Sequence, residues 1–145
     1  MISVVDDHSR LAYCELHSAE DRFTTTTTLR RAAAWMAEQG CGPTEAVMSD
    51  NHKAYTSQPF QALLCELGAR HIPTPPYTPR WNGKVERFHR TLNDEWARTR
   101  SWPTSHQRDR ALASFLRYYN GRRPHTSLGD RPPLSRVHQD RGQDT

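Results

Sequence analysis

The pattern of apolar and polar positions near the start of the chain predicts two short strands. The runs "ISVVDD" and "LAYCEL" are rich in β-forming residues and are separated by "HSR", a pattern typical of strand, tight turn and strand. Apolar residues at helical spacing then predict a helix over about residues 21–39, which "GCGP" stops. The threonines at 24–28 are expected to weaken its first turns, because β-branching restricts χ1 in a helix. The predicted apolar side of this helix consists of Phe23, Leu29, Ala32, Ala33, Trp35 and Met36.

The middle of the chain predicts a strand, a helix and another strand. "EAVMS" is typical of a buried strand that ends at Asp50, and "ARHIP" is typical of a second strand. Between them, leucines at helical spacing predict a helix over residues 57–67, with Gly68 as its stop. The following "TPPYTPRWNG" is predicted to be a loop, because three prolines and a glycine within ten residues prevent regular structure.

Two further helices are predicted, over about residues 83–98 and 105–119, separated by "SWPTS". The tail that follows is rich in proline and arginine and is expected to be extended, with its last residues disordered. The order strand, strand, helix, strand, helix, strand, helix, helix predicts an α/β fold. The side chains expected in its core are Trp35, Phe60, Leu63, Phe88, Leu92 and Phe115.

The charge of the chain is divided more sharply than its net value of +4 indicates. Residues 1–69 hold five Lys and Arg against nine Asp and Glu, a balance of −4, whereas residues 70–145 hold fifteen against seven, a balance of +8. Eighteen of the twenty basic residues are Arg, whose planar fork suits phosphate. This division favours a nucleic-acid partner and a separate cation site. The alternative is that abundant Arg reflects genome composition.

Other features argue against whole classes of protein. The longest apolar runs are far shorter than a membrane span, and "MISVVDDHSR" lacks the basic and apolar regions of a secretory signal. Cys14, Cys41 and Cys65 are widely spaced and odd in number, which fits free thiols in a reducing cytosol better than disulfides. We therefore expect a cytoplasmic protein with no membrane partner.

One carboxylate stands at the end of a predicted strand. Asp50 begins the polar turn "DNHKAY", and carboxylates at strand ends project into the crevice where open α/β sheets bind ligands. The alternative is an Asx residue that simply starts the turn.

A second carboxylate, Glu86, lies among Arg, Lys and His in "YTPRWNGKVERFHRTLNDEW". A helical wheel places it on one flank of the buried stripe, at the edge of the core. Arg90 shares its face and is placed to pair with it or to hold a phosphate. The alternative is a first-turn acid that complements the helix macrodipole. The stripe itself consists of Val85, Phe88, Leu92 and Trp96.

Together the two carboxylates indicate a divalent-cation site beside bound phosphate. Mg²⁺ or Mn²⁺ prefers oxygen ligands and shares its coordination between carboxylates and substrate phosphate. Two such ions, roughly 3.5–4 Å apart, stabilise the attacking and leaving oxygens of an in-line displacement. The alternative for the nearby basic side chains is a solvated charged surface. Those expected to contact phosphates are Lys53, Arg80, Lys84, Arg87 and Arg90.

Three motifs in this order are far more specific than either carboxylate alone. "SDN" at the strand end, "PYTPRWNGKVERFHRTL" around Glu86 and "YYNGRRPHTSLGDRPP" near the end resemble the catalytic core of DDE transposases and retroviral-type integrases. The early "DDHSRLAY" is similar to a hairpin of bacterial insertion-sequence transposases. The resemblance covers about residues 2–137.

The resemblance implies a ribonuclease-H-like mixed sheet with flanking helices, and Mg²⁺- or Mn²⁺-dependent attack of water or a 3′-hydroxyl on DNA phosphodiesters. It carries the family's second acid onto Asp50 and its final Glu onto Glu86, as catalytic and metal-binding residues. The implied partners are DNA, as transposon ends and target, and further copies of the chain in a homo-oligomer. We interpret a tail signature as tail docking with DNA-backbone contacts, including one from Arg123; it comprises Tyr119, Asn120, Arg123, Pro124 and His125.

The family's first acid is expected on the family's first strand, immediately before the strand that leads into "DDHSR", and that first strand is missing from the predicted order. Asp6 and Asp7 are less favoured as substitute metal ligands than as turn residues. Two carboxylates leave a divalent site short of ligands, so the chain is expected to be inactive alone. Unpaired strand edges also predict poor solubility. We expect a partial catalytic core over residues 1–120 and a tail over 121–145.

Two other interpretations stay open. One is a non-catalytic DNA-binding remnant, in which Glu86 has no metal-dependent role. The other is a ribonuclease-H-like nuclease, which shares the site but prefers hybrid duplexes and needs no joining activity.

Overall fold

The computed structural model describes residues 1–75, 83–98 and 101–143, with side chains up to residue 138. The strands are β1 (Ile2–Val5), β2 (Ala12–Glu15), β3 (Ala46–Ser49) and β4 (Arg70–Pro73). The α-helices are α1 (Arg22–Gln39), α2 (Lys53–Thr56), α3 (Gln58–Leu67), α4 (Gly83–Leu92), α5 (Ser105–Gly121) and α6 (Pro133–Gln143). A π-helical segment, Asn93–Ala97, continues from α4, and a 3₁₀ turn covers Thr126–Leu128.

The predicted α/β order is confirmed. Strands β1 and β2 form one two-stranded sheet, and β3 and β4 form a second, parallel one. The strands described thus form two small sheets, where one mixed sheet was expected. The chain divides into a first compact unit, Met1–Val4 with Cys14–Gly83, and a second, Val5–Tyr13 with Lys84–Thr145. The predicted boundary at residue 120 between core and tail stays a prediction.

Helix α1 shows how the threonine run folds. The Asp21 carboxylate accepts the N–H groups of Phe23 and Thr24 at 2.9 and 2.8 Å, and the Thr24 hydroxyl accepts the Asp21 N–H, which completes a capping box. Thr26 and Thr28 are buried, and each hydroxyl donates to the carbonyl four residues earlier. Three of the five threonines, Thr25, Thr26 and Thr28, therefore belong to the buried face, whereas Thr27 is exposed. Phe23, predicted on the apolar side, is instead 58% exposed.

The core of the first unit forms where α1 and α3 pack together. Its centre consists of Leu29, Phe60, Leu63 and Leu64, with Val4, Val47, Tyr55, Leu67 and Ala69 packed against it. Gly68 ends α3 in the left-handed region at φ 68°, as its position in the sequence predicts. Trp35, predicted in the core, is only half-buried.

The second unit is built on aromatic contacts between helices. The ring of Phe88 on α4 meets that of Tyr119 on α5 edge-on at 5.1 Å, and α5 packs against α6. The predicted helix over 83–98 changes after Leu92 into the π-helical segment, in which Trp96 is buried and stacks on Trp102 with ring centroids 4.5 Å apart. The predicted core residues Phe88, Leu92 and Phe115 are all buried.

The tail is not extended, contrary to the prediction. Pro133 opens α6, a position where proline is favoured because the first helical N–H needs no partner. Pro133 and Val137 are both buried. Before the helix, the His125 N–H donates to the Arg131 carbonyl at 3.1 Å and closes the loop that contains the 3₁₀ turn. None of the helices in the described part of the chain is long and apolar enough to cross a membrane.

Candidate active site

Asp50 lies where the parallel strand β3 leaves its sheet. It directly follows Ser49, the last residue of β3, and it is exposed. Its Oδ1 accepts the His52 N–H at 2.9 Å, so the Asx turn considered as the alternative is present. The turn and a cation are compatible, because an ionised carboxylate offers two oxygens and about four lone-pair sites.

Each residue of the "SDN" motif forms hydrogen bonds at the end of the β3–β4 sheet. The buried Ser49 hydroxyl lies 2.7 Å from His71 Nε2 and donates to the Asp50 carbonyl at 3.0 Å. The Asn51 amide donates to the Thr74 carbonyl at 3.3 Å, and the Thr74 N–H donates to the Ser49 carbonyl at 2.8 Å. These bonds fix the backbone on both sides of Asp50.

Glu86 lies in the first turn of α4 and is exposed, not at the edge of the core as the helical wheel predicted. The reason is that Val85 is only half-buried, so the buried stripe begins at Phe88, one turn later. Arg90, one turn beyond Glu86, is exposed as well. Helix α4 therefore presents a carboxylate to solvent from its first turn and a guanidinium from its last turn.

Asp50 belongs to the first unit and Glu86 to the second, so their convergence on one cation stays a prediction. Across residues 1–75, 83–98 and 101–138, no group of three or more His, Cys, Asp or Glu side chains is arranged to hold a metal ion. The oxygen chemistry of the two carboxylates fits Mg²⁺ or Mn²⁺.

Asp6 and Asp7 have the contacts of turn residues. Asp6 Oδ2 accepts the Ser9 N–H at 3.0 Å and the Ser9 hydroxyl at 2.6 Å, and Arg10 follows in the left-handed region at φ 68°. The Asp7 carboxylate forms an ion pair with Lys84, whose ammonium also donates to the Asp7 carbonyl at 2.9 Å. Lys84, a predicted phosphate contact, thus holds the start of α4 to the hairpin turn.

The remaining predicted DNA contacts differ in their surroundings. Lys53, Arg87 and Arg90 are exposed, whereas Arg80 lies outside the described residues. The Arg123 guanidinium donates to both carboxylate oxygens of Glu95, with Nε 3.0 Å from Oε1 and Nη2 2.7 Å from Oε2. A phosphate would therefore compete with Glu95 for Arg123.

Two residues of the tail signature have structural contacts. The buried Asn120 accepts the Ala12 N–H and donates to the Ala12 carbonyl, both at 2.9 Å. His125 is buried, its Nε2 lies 3.3 Å from the Tyr119 carbonyl oxygen, and its ring meets that of Tyr119 edge-on at 4.6 Å. Burial lowers the pKa of His125 below its usual value. His125 thus ties the start of the tail to α5, whereas Asn120 ties the end of α5 itself to β2.

Sequence reasoning missed Ser49, His71 and Gln61 around Asp50. Ser49 stands in the quoted "SDN", a local signal that was present. His71 and Gln61 are distant in sequence, and no motif marks them.

Two models of the integrase core domain match the chain, one over residues 1–79 and the other over residues 67–133. The first match covers more than half of the chain. The chain belongs to the integrase core domain family, which confirms the resemblance carried by the three motifs.

Two insertion-element proteins are similar in sequence. The chain is 34% identical over 92 residues to the insertion element IS476 uncharacterized 39.2 kDa protein of Xanthomonas euvesicatoria, covering 63% of this chain and 27% of that protein. It is 28% identical over 101 residues to the transposase for insertion sequence element IS904 of Lactococcus lactis, covering 66% of this chain and 40% of that protein. The chain thus spans between about a quarter and two fifths of the length of these relatives.

Solved retroviral integrases share the fold. A chain of the simian T-cell lymphotropic virus intasome, in complex with PP2A regulatory subunit B56 gamma, has a TM-score of 0.75 at 25% identity, over 92% of this chain and 46% of that one. The catalytic core domain of BIV integrase has a TM-score of 0.71 at 20% identity, over 97% and 86%. The HTLV-2 integrase catalytic core domain, solved in trimeric form with magnesium, has a TM-score of 0.68 at 20% identity, over 94% and 82%. The ribonuclease-H-like fold is confirmed.

Proposed function

We propose that this chain is a catalytic core for DNA transposition, which transfers DNA strands by divalent-cation-dependent attack on phosphodiesters. The observation that carries the proposal is the exposed Asp50, held by hydrogen bonds at the end of the parallel β3–β4 pair in a member of the integrase core domain family. The insertion-element relatives favour transposition over other uses of this fold.

Asp50 and Glu86 are the residues that would hold Mg²⁺ or Mn²⁺. When bound, such an ion polarises the phosphodiester and activates the attacking oxygen. Lys53, Arg87 and Arg90 are exposed and would orient the DNA backbone, with Arg80 as a further predicted contact. Their role is to hold the phosphate in line for attack, because correct placement supplies a large share of catalysis.

DNA ends and target DNA are the proposed partners, in a homo-oligomer located in the cytoplasm. The retroviral structures that share the fold include an intasome and a trimeric form, which favours oligomeric action. We expect the chain on its own to bind DNA in a cation-dependent way but to transfer strands poorly, because two carboxylates provide few ligands for a divalent site.

The first prediction tests the carboxylates through DNA binding. Mn²⁺ should strengthen binding of a short end-containing duplex to the chain, because an ion held by Asp50 and Glu86 would attract the phosphates of the DNA. Glu86→Gln and Asp50→Asn should each abolish that increase while leaving binding in EDTA unchanged or stronger. Fluorescence anisotropy with Mn²⁺ or EDTA measures the effect, and a strand-transfer assay runs alongside it.

The matched control is Asp94→Asn, which removes an exposed carboxylate just beyond α4 that lies 4.0 Å from Arg98. It should bind like the unaltered chain in both buffers. If Mn²⁺ has no effect and Glu86→Gln behaves like the unaltered chain, the non-catalytic DNA-binding interpretation replaces this one. Cleavage of RNA–DNA hybrids without joining would instead favour the ribonuclease-H-like nuclease.

A further inference from the structure

We propose that Gln61, His71 and Ser49 form a directional hydrogen-bond relay that positions Asp50. The inference rests on the proposed role of Asp50 as a cation ligand, and it adds three positioning residues to that site. The relay starts on α3, crosses β4 and ends on the backbone carbonyl of Asp50. All of its members belong to the first unit.

The direction of the relay follows from the donors at its start. Gln61 Nε2 donates to the Tyr55 carbonyl at 2.8 Å, and only the amide nitrogen can do so, which fixes the orientation of the amide. The same nitrogen lies 3.2 Å from His71 Nδ1. Because an amide nitrogen donates and cannot accept, Nδ1 is the acceptor. The ring proton of neutral His71 is therefore on Nε2.

The rest of the relay follows from that tautomer. His71 Nε2–H donates to the Ser49 hydroxyl oxygen at 2.7 Å. The Ser49 proton is then directed to the Asp50 carbonyl at 3.0 Å. Each donor of the relay, from Gln61 Nε2 to the Ser49 hydroxyl, thus has a matching acceptor.

This direction excludes a second interpretation of the short Ser–His contact. In a nucleophile–base pair the imidazole nitrogen accepts the hydroxyl proton. Here Nε2 donates, and Ser49 is buried and bonded to the backbone. The pair is therefore a support for Asp50 and not a nucleophile.

The relay is anchored in the core of the first unit. The ring of His71 meets that of the buried Phe60 edge-on at 5.7 Å, which limits its rotation. The carboxylate of Asp50 is held separately, by the His52 N–H. Relay and Asx turn together fix both the backbone and the side chain of the proposed ligand. Partners of this kind around a metal ligand are typically worth 10–100-fold in metal affinity.

The first test is NMR of the intact, isotope-labelled chain. We expect the ¹⁵N shifts of His71 to show the Nε2–H tautomer. Ser49→Ala should move the carbonyl ¹³C shift of Asp50, whereas Ser49→Thr, which keeps the hydroxyl, should restore it. Gln61→Met changes an exposed helix position and removes the donor to Nδ1, so it should reduce the preference for this tautomer even if Ser49→Ala folds poorly. An Nδ1–H tautomer, or an Asp50 shift that Ser49→Ala leaves unchanged, overturns the relay.

The second test is Mn²⁺ binding followed by electron paramagnetic resonance. Ser49→Ala should raise the Kd for Mn²⁺ about tenfold or more, and Ser49→Thr should stay near the unaltered value. If Asp50→Asn removes Mn²⁺ binding but Ser49→Ala does not weaken it, the positioning role is wrong and the proposed function stands. If the unaltered chain shows no Asp50-dependent Mn²⁺ binding, the proposed cation site fails, and the NMR result alone decides whether the relay holds the Asp50 backbone.

Discussion

The side chain of Asn120 shows how one amide takes the place of a neighbouring strand. Its oxygen and nitrogen bond the N–H and the carbonyl of Ala12, a buried residue at the start of β2. A strand neighbour would satisfy the same two backbone groups. At the residue scale, this contact joins the end of α5 to the hairpin across 108 positions of sequence.

Asn120→Ala should lower the free energy of unfolding by about 3 kcal/mol, because it leaves two buried backbone groups without partners. Urea denaturation followed by circular dichroism measures the change. Asn93→Ala, at an exposed position in the π-helical segment, is the control and should cost far less. Equal losses for both variants would show that the Asn120 contact contributes little.

The sequence was sufficient to mark Asp50 as a candidate site residue, but not to identify the side chains that hold it in place. The Asx turn at Asp50 is local, and "SDN" followed by a short polar segment was sufficient to indicate it. The Ser49–His71 contact joins residues 22 positions apart, on two strands whose register was not predictable. The same limit applies to Arg123, since nothing in the tail indicates that Glu95 holds its guanidinium.

At the scale of elements, the ends of the predicted helices could be recognised from the sequence, but two of the helices themselves could not. Gly68 was recognised at the end of α3, and "GCGP" at the end of α1, because left-handed stops depend on single residue types. The short helix α2 was missed within a polar turn, and α6 was missed because its prolines suggested extended chain. Composition misled here, since Pro133 stands where a helix tolerates it.

Gly68→Ala should destabilise the chain by about 1 kcal/mol, because an L side chain is strained in the left-handed region. No atom lies within 4 Å of the added Cβ, so the cost comes from the backbone alone. Gly121→Ala is the matched control, since its Cβ would make an ordinary contact, 3.7 Å from Leu134 Cδ1, at the end of α5. Thermal unfolding of the two variants should show the loss only for Gly68→Ala.

The docked tail should make stability depend on pH through His125. Burial lowers the pKa of this imidazole, so protonation favours the unfolded chain. The stability that neutral His125 contributes is fully present above the ordinary histidine pKa of about 6.5. It is lost as pH falls through the lowered pKa of the folded chain. His125→Gln should remove part of the acid dependence of the unfolding free energy between about pH 7.5 and 5. If His125→Gln leaves the pH dependence of the unfolding free energy unchanged, other titratable groups cause that dependence.

At the scale of the whole molecule, the family and fold were within reach of sequence because three motifs carry them. The division into two compact units could not be predicted from the sequence, because it separates the turn of the β1–β2 hairpin from the open end of the same hairpin. Nor could charge alone say which basic groups are committed to protein contacts. Lys84, Arg30 and Arg123 form ion pairs, whereas Lys53, Arg87 and Arg90 are exposed.

The exposed basic residues should determine how DNA binding responds to salt. Each phosphate contact contributes a slope of about −0.9 to log K against log salt concentration. Arg87→Ala and Arg90→Ala should each reduce the slope by about 1. Arg30→Ala is the control, because this exposed arginine is paired with Glu66 at 2.7 Å in the first unit. A slope that falls equally in all three variants would mean that only overall charge matters.

The pairing of Lys84 with Asp7 has a consequence for how nucleic acid competes with the protein itself. An exposed pair of this kind is held only weakly. A phosphodiester that approaches the start of α4 therefore meets an ammonium already occupied by an internal anion, and must displace it. Releasing Lys84 would remove its tie between the hairpin turn and the helix that carries Glu86, so a phosphate bound there would form one contact at the expense of another.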